Sequence, residues 1–205
     1  VGSEMCIRDR FLTANHCISK DRTARSLNTY FHFKTSSCGN CDSSSIVAGP
    51  SGANILATGR TSDYTLMRLS GNPPSTAFYA STNSSEVAFS NGDALYRISH
   101  PKGEPQSFSK HIVDTSKGTC LGWPRGNWIY SKDDIGATQG GSSGSPVFNA
   151  DGEVVGHLTG GCGTNIYDDC DANSNGLPSG ESCKKGSECA SGVCEGRGRN
   201  KVCSE

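Results

Sequence analysis

Gly140-Gly-Ser-Ser-Gly-Ser-Pro-Val-Phe148 places a serine among glycines immediately before a short apolar strand. Glycine permits the tight turn that exposes a side chain and aims successive backbone N–H groups into one hollow. Such a hollow can hold an oxyanion while a hydroxyl attacks a carbonyl. Taken alone, the stretch reads equally well as a Ser/Gly surface turn. Downstream, Ala150-Asp-Gly152 separates Pro146-Val-Phe148 from Glu153-Val-Val-Gly-His-Leu158, a hairpin with the Asp-Gly turn signature.

Upstream, short aromatic or branched runs at 29–34, 55–58, 64–69 and 94–98 read as strands, parted by Gly, Asn, Pro and Ser. Strands at this spacing predict an all-β sandwich or barrel. Composition agrees. Of 205 residues, 33% are hydrophobic, 19% are charged and 26 are glycine, which excludes a helix bundle, a coiled coil or collagen. No apolar run approaches the roughly 20 residues of a membrane-spanning helix. Nineteen Lys and Arg against 20 Asp and Glu leave a net charge of -1, which argues against nucleic acid or an acidic membrane as the main partner.

Eleven cysteines are many for this length and point to disulfides in an oxidising compartment. Cys38-Gly-Asn-Cys41 is the one C-x-x-C and has no second half at metal spacing, so neither metal nor cofactor is expected. Glu4-Met-Cys-Ile-Arg-Asp-Arg10 resembles a translated sequencing adaptor. Residues 1–10 are therefore set aside as an artefact, with the natural N-terminus and any signal peptide expected to lie upstream. Setting Cys6 aside leaves an even ten.

Two further segments complete the chemistry. Phe11-Leu-Thr-Ala-Asn-His16-Cys17 puts a histidine at the end of an apolar strand, and Ser62-Asp63 stands just before Tyr64-Thr-Leu-Met-Arg-Leu69. His, Asp and Ser in this order supply a base, its orienter and a nucleophile. The three segments together resemble the chymotrypsin-fold serine proteases, and most closely the bacterial lysyl and glutamyl endopeptidase branches, which carry Ser-Gly-Ser-Pro where this chain has Ser143-Gly-Ser-Pro146. The gaps of 47 residues from His16 to Asp63 and 80 from Asp63 to Ser143 suit that family.

The resemblance implies two six-stranded antiparallel β-barrels, the first incomplete here, over residues 11–170. It implies a secreted or periplasmic serine endopeptidase, monomeric, acting on polypeptides. Ser143 would be the nucleophile, His16 the base and Asp63 the group that holds its tautomer, with the N–H groups of Gly141 and Ser143 as oxyanion hole. Ser142 stands where animal trypsins have Asp, so their zymogen switch is not expected. The rival functions are an inert protease-fold binding protein and an esterase with the same triad. Ser142 and Ser145 read as turn formers, His32 and His111 as strand or surface residues, His100 as structural, and Asp133 and Asp134 as caps of a solvated loop.

For specificity, Ala137 replaces the trypsin Asp. Thr138 agrees with glutamyl endopeptidases, whose later-strand histidine aligns with Leu158, whereas this chain has His157. One residue along a strand turns a side chain to the other face unless a bulge intervenes. Asp168 or Asp169 could supply the acid of a lysyl endopeptidase. The family also implies upstream partners for Cys17 and Cys38, leaving Cys41, Cys120, Cys162 and Cys170 for two bridges, with Cys162–Cys170 and Cys41–Cys120 as the expected pairing. After a polar linker at 171–178, residues 179–205 form a cysteine-rich module. Its Cys183, Cys189, Cys194 and Cys203 make two disulfides in any of three connectivities.

Overall fold

Tyr64-Thr-Leu-Met-Arg-Leu69 alternates in burial as its sequence alternates, with Thr65, Met67 and Leu69 inward and Arg68 outward. In the computed structural model, which describes residues 9–37, 46–120, 122–136 and 138–161 and the backbone of 194–197 and 200–203, this strand is the centre of the first sheet. Numbered along the chain, the elements of the first half are β1 (Arg10–Ala14), a short helix α1 (Asp21–Arg25), β2 (Asn28–Phe31), β3 (Val47–Ser51), β4 (Ala53–Gly59) and β5 (Tyr64–Leu69). β5 pairs antiparallel with β1 on one side and β4 on the other, and β2 pairs with β3. Met67, Leu69, Ala53 and Ala24 of α1 form a buried cluster, covered by Phe11, Ile18, Leu27 and Ile55.

The second half builds a five-stranded antiparallel sheet in the order β10-β9-β6-β7-β8. Its strands are β6 (Ala94–Ser99), β7 (Ser107–Val113), β8 (Ser131–Ile135), β9 (Pro146–Phe148) and β10 (Val154–His157). Leu95, Val113 and Val147 pack together beneath Ile129 and Val155. Between β7 and β8 the chain is braced by stacked Trp123 and Trp128, and by Arg125, which donates to the carbonyls of Asp114 and Lys117. A further pair, β11 (Cys194–Arg197) and β12 (Asn200–Cys203), sets Cys194 opposite Cys203.

The fold is all-β with antiparallel sheets, as expected. Among the described residues the sheets have three, five, two and two strands, where two six-stranded barrels were expected. The predicted β9–β10 hairpin forms: Asn149 Oδ1 accepts from the N–H groups of Asp151 and Glu153, and Gly152 takes the positive φ of 78° that the turn needs.

Two assignments are corrected. Asp133 and Asp134 lie in β8, not in a capping loop: Asp133 Oδ1 is 2.7 Å from His111 Nδ1 and Asp134 pairs with Lys110 at 2.6 Å. The run at 29–34 ends early, because His32 turns to φ 58° and leaves the sheet to meet Thr76 Oγ1 at 2.8 Å.

Candidate active site

β1 and the turn before β5 meet at one end of the first sheet. Asp63 closes that turn in the left-handed region, φ 49°, a conformation Asp tolerates better than most side chains. It is 7% exposed, yet well partnered. Oδ1 accepts from the His16 backbone N–H at 2.8 Å, and Oδ2 lies 2.7 Å from His16 Nδ1. A carboxylate only accepts, so Nδ1 carries the proton and the neutral ring keeps its lone pair on Nε2. Thr159 adds a side-chain hydrogen bond to the carboxylate. Burial pushes the Asp63 carboxyl up, but the hydrogen bonds from His16 and Thr159 outweigh it and hold the group below its ordinary value. His16 itself is exposed, with 47% of its side chain accessible.

The serine loop reaches this pair from the second sheet. Gly140 O accepts from Lys102 N–H at 2.6 Å, Ser142 N–H donates to Gln139 O at 3.0 Å, and Ser145 N–H donates to Ser142 O at 3.0 Å. Ser142, fully buried, donates its hydroxyl to Ser99 Oγ on β6 at 3.1 Å. Gly144 N–H donates to Leu158 O at 2.7 Å, tying the loop to the end of β10.

Two glycines are required by close approach. A Cβ on Gly141 (φ 97°) would stand 2.9 Å from His100 O and from Lys102 N. One on Gly144 (φ 80°) would overlap Thr13 Oγ1 and stand 2.8 Å from Ala14 N. Gly144 is thus where the serine loop touches β1, two residues before His16. Ser143 is half-buried at that junction, and no hydrogen bond joins its hydroxyl to the His16 ring in the described structure. Such contacts are often long before substrate binds.

The remaining site candidates scatter. Thr138 is half-buried before the serine loop. His157 Nε2 is 2.9 Å from the backbone carbonyl of Asp63, so the ring engages the Asp63 turn. Ala137, Asp168, Asp169, Cys38, Cys41, Cys162, Cys170, Cys183 and Cys189 lie outside the described residues, and with them the pairings Cys162–Cys170 and Cys41–Cys120. Cys120 is disulfide-bonded, whereas Cys17 is a free, exposed thiol that local burial and the Asp63 carboxylate push above its ordinary value. His100 is structural as read, its Nδ1 3.0 Å from Glu104 O and its ring stacked on Phe33.

Sequence reasoning missed Thr159 and Gly144. Gly144 was visible in the motif but its neighbour was not, since contact with Thr13 joins residues 131 positions apart.

Residues 6–175 match the family model described as lysyl endopeptidase, C-terminal domain. Among curated relatives, a lysyl endopeptidase of Pseudomonas aeruginosa is 30% identical over 160 residues, covering 75% of this chain and 33% of that protein. Secreted RxLR effector protein 73 of Plasmopara viticola is 32% identical over 176 residues, covering 79% of this chain and 40% of its own. The chain therefore spans between a third and two-fifths of these relatives. Among solved structures, the MamO protease domain of Magnetospirillum magneticum aligns over 77% of this chain and 74% of its own, at 15% identity and a TM-score of 0.48.

Proposed function

Because this chain belongs to the lysyl endopeptidase C-terminal domain family, we propose that it is a serine endopeptidase working through Ser143, His16 and Asp63. The observation that carries the reading is the double hydrogen bond from His16 to Asp63, made beside the Gly144 contact that brings the Ser143 loop against β1. Asp63 holds the Nδ1–H tautomer, which leaves the Nε2 lone pair to take the Ser143 hydroxyl proton as Oγ attacks the peptide carbonyl. The proton then passes to the departing amine. Water, deprotonated by the same nitrogen, releases the acyl group and restores Ser143. The N–H groups of Gly141 and Ser143 stabilise the oxyanion. Eleven cysteines favour an extracytoplasmic setting. The names of the family and of the Pseudomonas relative make lysyl bonds the first substrates to try, with Asp168 or Asp169 as the carboxylate for the lysine ammonium.

The test is labelling by a fluorophosphonate together with hydrolysis of a peptide panel varied at the residue before the cleaved bond. Wild type should be labelled and should hydrolyse peptides, and Ser143→Ala should lose both, the rate by several orders of magnitude. Labelling that survives in Ser143→Ala would move the role to another serine. Hydrolysis of esters but no peptide would favour the esterase reading, and an unlabelled wild type the inert binding protein.

A further inference from the structure

We propose that His157 is a positioning residue: it donates from Nε2 to the backbone carbonyl of Asp63 and so fixes the turn that presents the carboxylate to His16. The inference rests on the serine endopeptidase reading and gives His157 a different task from the specificity role its sequence position suggested.

Three observations carry it. The Asp63 carbonyl accepts two hydrogen bonds, one from Asn15 N–H at 2.7 Å and one from His157 Nε2 at 2.9 Å. Asn15 follows β1 of the first sheet and His157 ends β10 of the second, so this one oxygen joins the two sheets. Secondly, Asp63 sits at φ 49°, a sparsely populated conformation for a residue with a side chain, which persists where the surroundings over-determine it. Holding its carbonyl restrains the peptide plane attached to the same Cα that carries the carboxylate. Thirdly, the β9–β10 register aims the ring. Val154 pairs with Phe148, but Gly156 pairs with Val147 and His157 with Pro146, so β10 contains one extra residue at Val155, two positions before His157.

Past that bulge the alternation is regular. His157 and Thr159, two apart, both reach Asp63, one at its carbonyl and one at its carboxylate, while Leu158 between them is buried at 7% exposure. A bond donated from Nε2 survives in either the Nε2–H neutral ring or the charged ring.

The experiment compares His157→Leu, which removes the donor, with His157→Gln, whose amide can donate from a similar position. On one peptide series, His157→Leu should lower kcat on the order of ten- to a hundredfold. KM should stay within about twofold and the ranking of residues before the cleaved bond should not change, since the lost group acts through Asp63. His157→Gln should recover most of kcat. A second readout needs no turnover: the deshielded proton in the His16–Asp63 hydrogen bond should shift or broaden in the NMR spectrum of His157→Leu and return in His157→Gln. Full kcat with an unmoved proton resonance in His157→Leu would overturn the proposal. So would a changed substrate ranking in both variants, which would restore the specificity role. A wild type that resists fluorophosphonate would instead sink the serine endopeptidase reading, and the NMR comparison would still decide the task of His157.

Discussion

Among the described site residues Asp63 concentrates the most interactions, and its substitution separates geometry from charge. Asp63→Asn keeps the shape but replaces one accepting oxygen by a donor, so the His16 ring loses the partner that fixes its Nδ1–H tautomer. kcat should fall by about four orders of magnitude, while the melting temperature changes far less. Gly144→Ala acts differently. The new methyl would overlap Thr13 Oγ1 at a positive φ, so the serine loop must withdraw from β1. It should cost on the order of 1–3 kcal/mol of stability and most of the activity together. A Gly144→Ala enzyme with normal kcat would mean that the contact with β1 does not set the serine's position. Both positions lay in motifs legible from sequence. The contacts they make were not, because His157, Thr159 and Thr13 reach them from distant elements.

At the scale of the strand, β6 shows where hydrophobicity misleads. Ala94-Leu-Tyr-Arg-Ile-Ser99 offers Ile98 as a natural inward residue, yet Arg97 and Ser99 are buried and Ile98 is exposed. The strand is turned by what Arg97 meets inside. Its guanidinium NH1 is 3.4 Å from His111 Nε2, Ser109 Oγ is 2.8 Å from the same nitrogen, and His111 Nδ1 faces Asp133 across β7–β8. His111 thus links a buried cation to a carboxylate. Burial pushes the Arg97 guanidinium down to about 10, against the pull of Asp133. Removing one member leaves the others unpaired, so Asp133→Ala should destabilise by roughly 1–3 kcal/mol in chemical denaturation. The triple variant Arg97→Met, His111→Leu, Asp133→Ala should be less unstable than the sum of the three single changes. Additive losses would show that these side chains do not act as one network. His111 was read as a strand or surface residue. The strand assignment holds, but β7 carries it into the interior at 1% exposure, since Ser109, His111 and Val113 share the inward face.

For the whole molecule, acid should act on folding through its carboxylates. Asp63 is held low as described; the Ser116 hydroxyl and N–H hold Asp114 low, and the Asn83 and Asn149 amides hold Glu153 low. A carboxyl lowered in the folded state contributes stability that is full above its unfolded value, near about 4, and is lost as pH falls through the lower folded value. Tertiary structure, followed by near-UV circular dichroism, should therefore persist to about pH 4 and fail below it. A near-UV signal that stays unchanged well below about pH 4 would show that these carboxylates are not coupled to folding. The site lies where the sheets meet, tied by Gly144 to β1 and by the Asp63 carbonyl to β10.

Local chemistry determined what stands within a few residues of itself. Tyr64–Leu69 and Pro146–Phe148 are strands because their side chains alternate or branch, the Asp-Gly turn closes the hairpin between Pro146–Phe148 and β10, and glycines flank Ser143 because the loop there must bend sharply. These are short-range steric facts, and a sequence states them directly. Tertiary structure alone decided the rest. Whether Arg97 or Ile98 faces inward depends on Asp133, 36 residues away. Whether His157 faces a substrate or Asp63 depends on one bulge in β10 and on a carbonyl 94 residues upstream. Side-chain alternation has a period of two, so one inserted residue reverses it, and only the partner strand reveals the insertion.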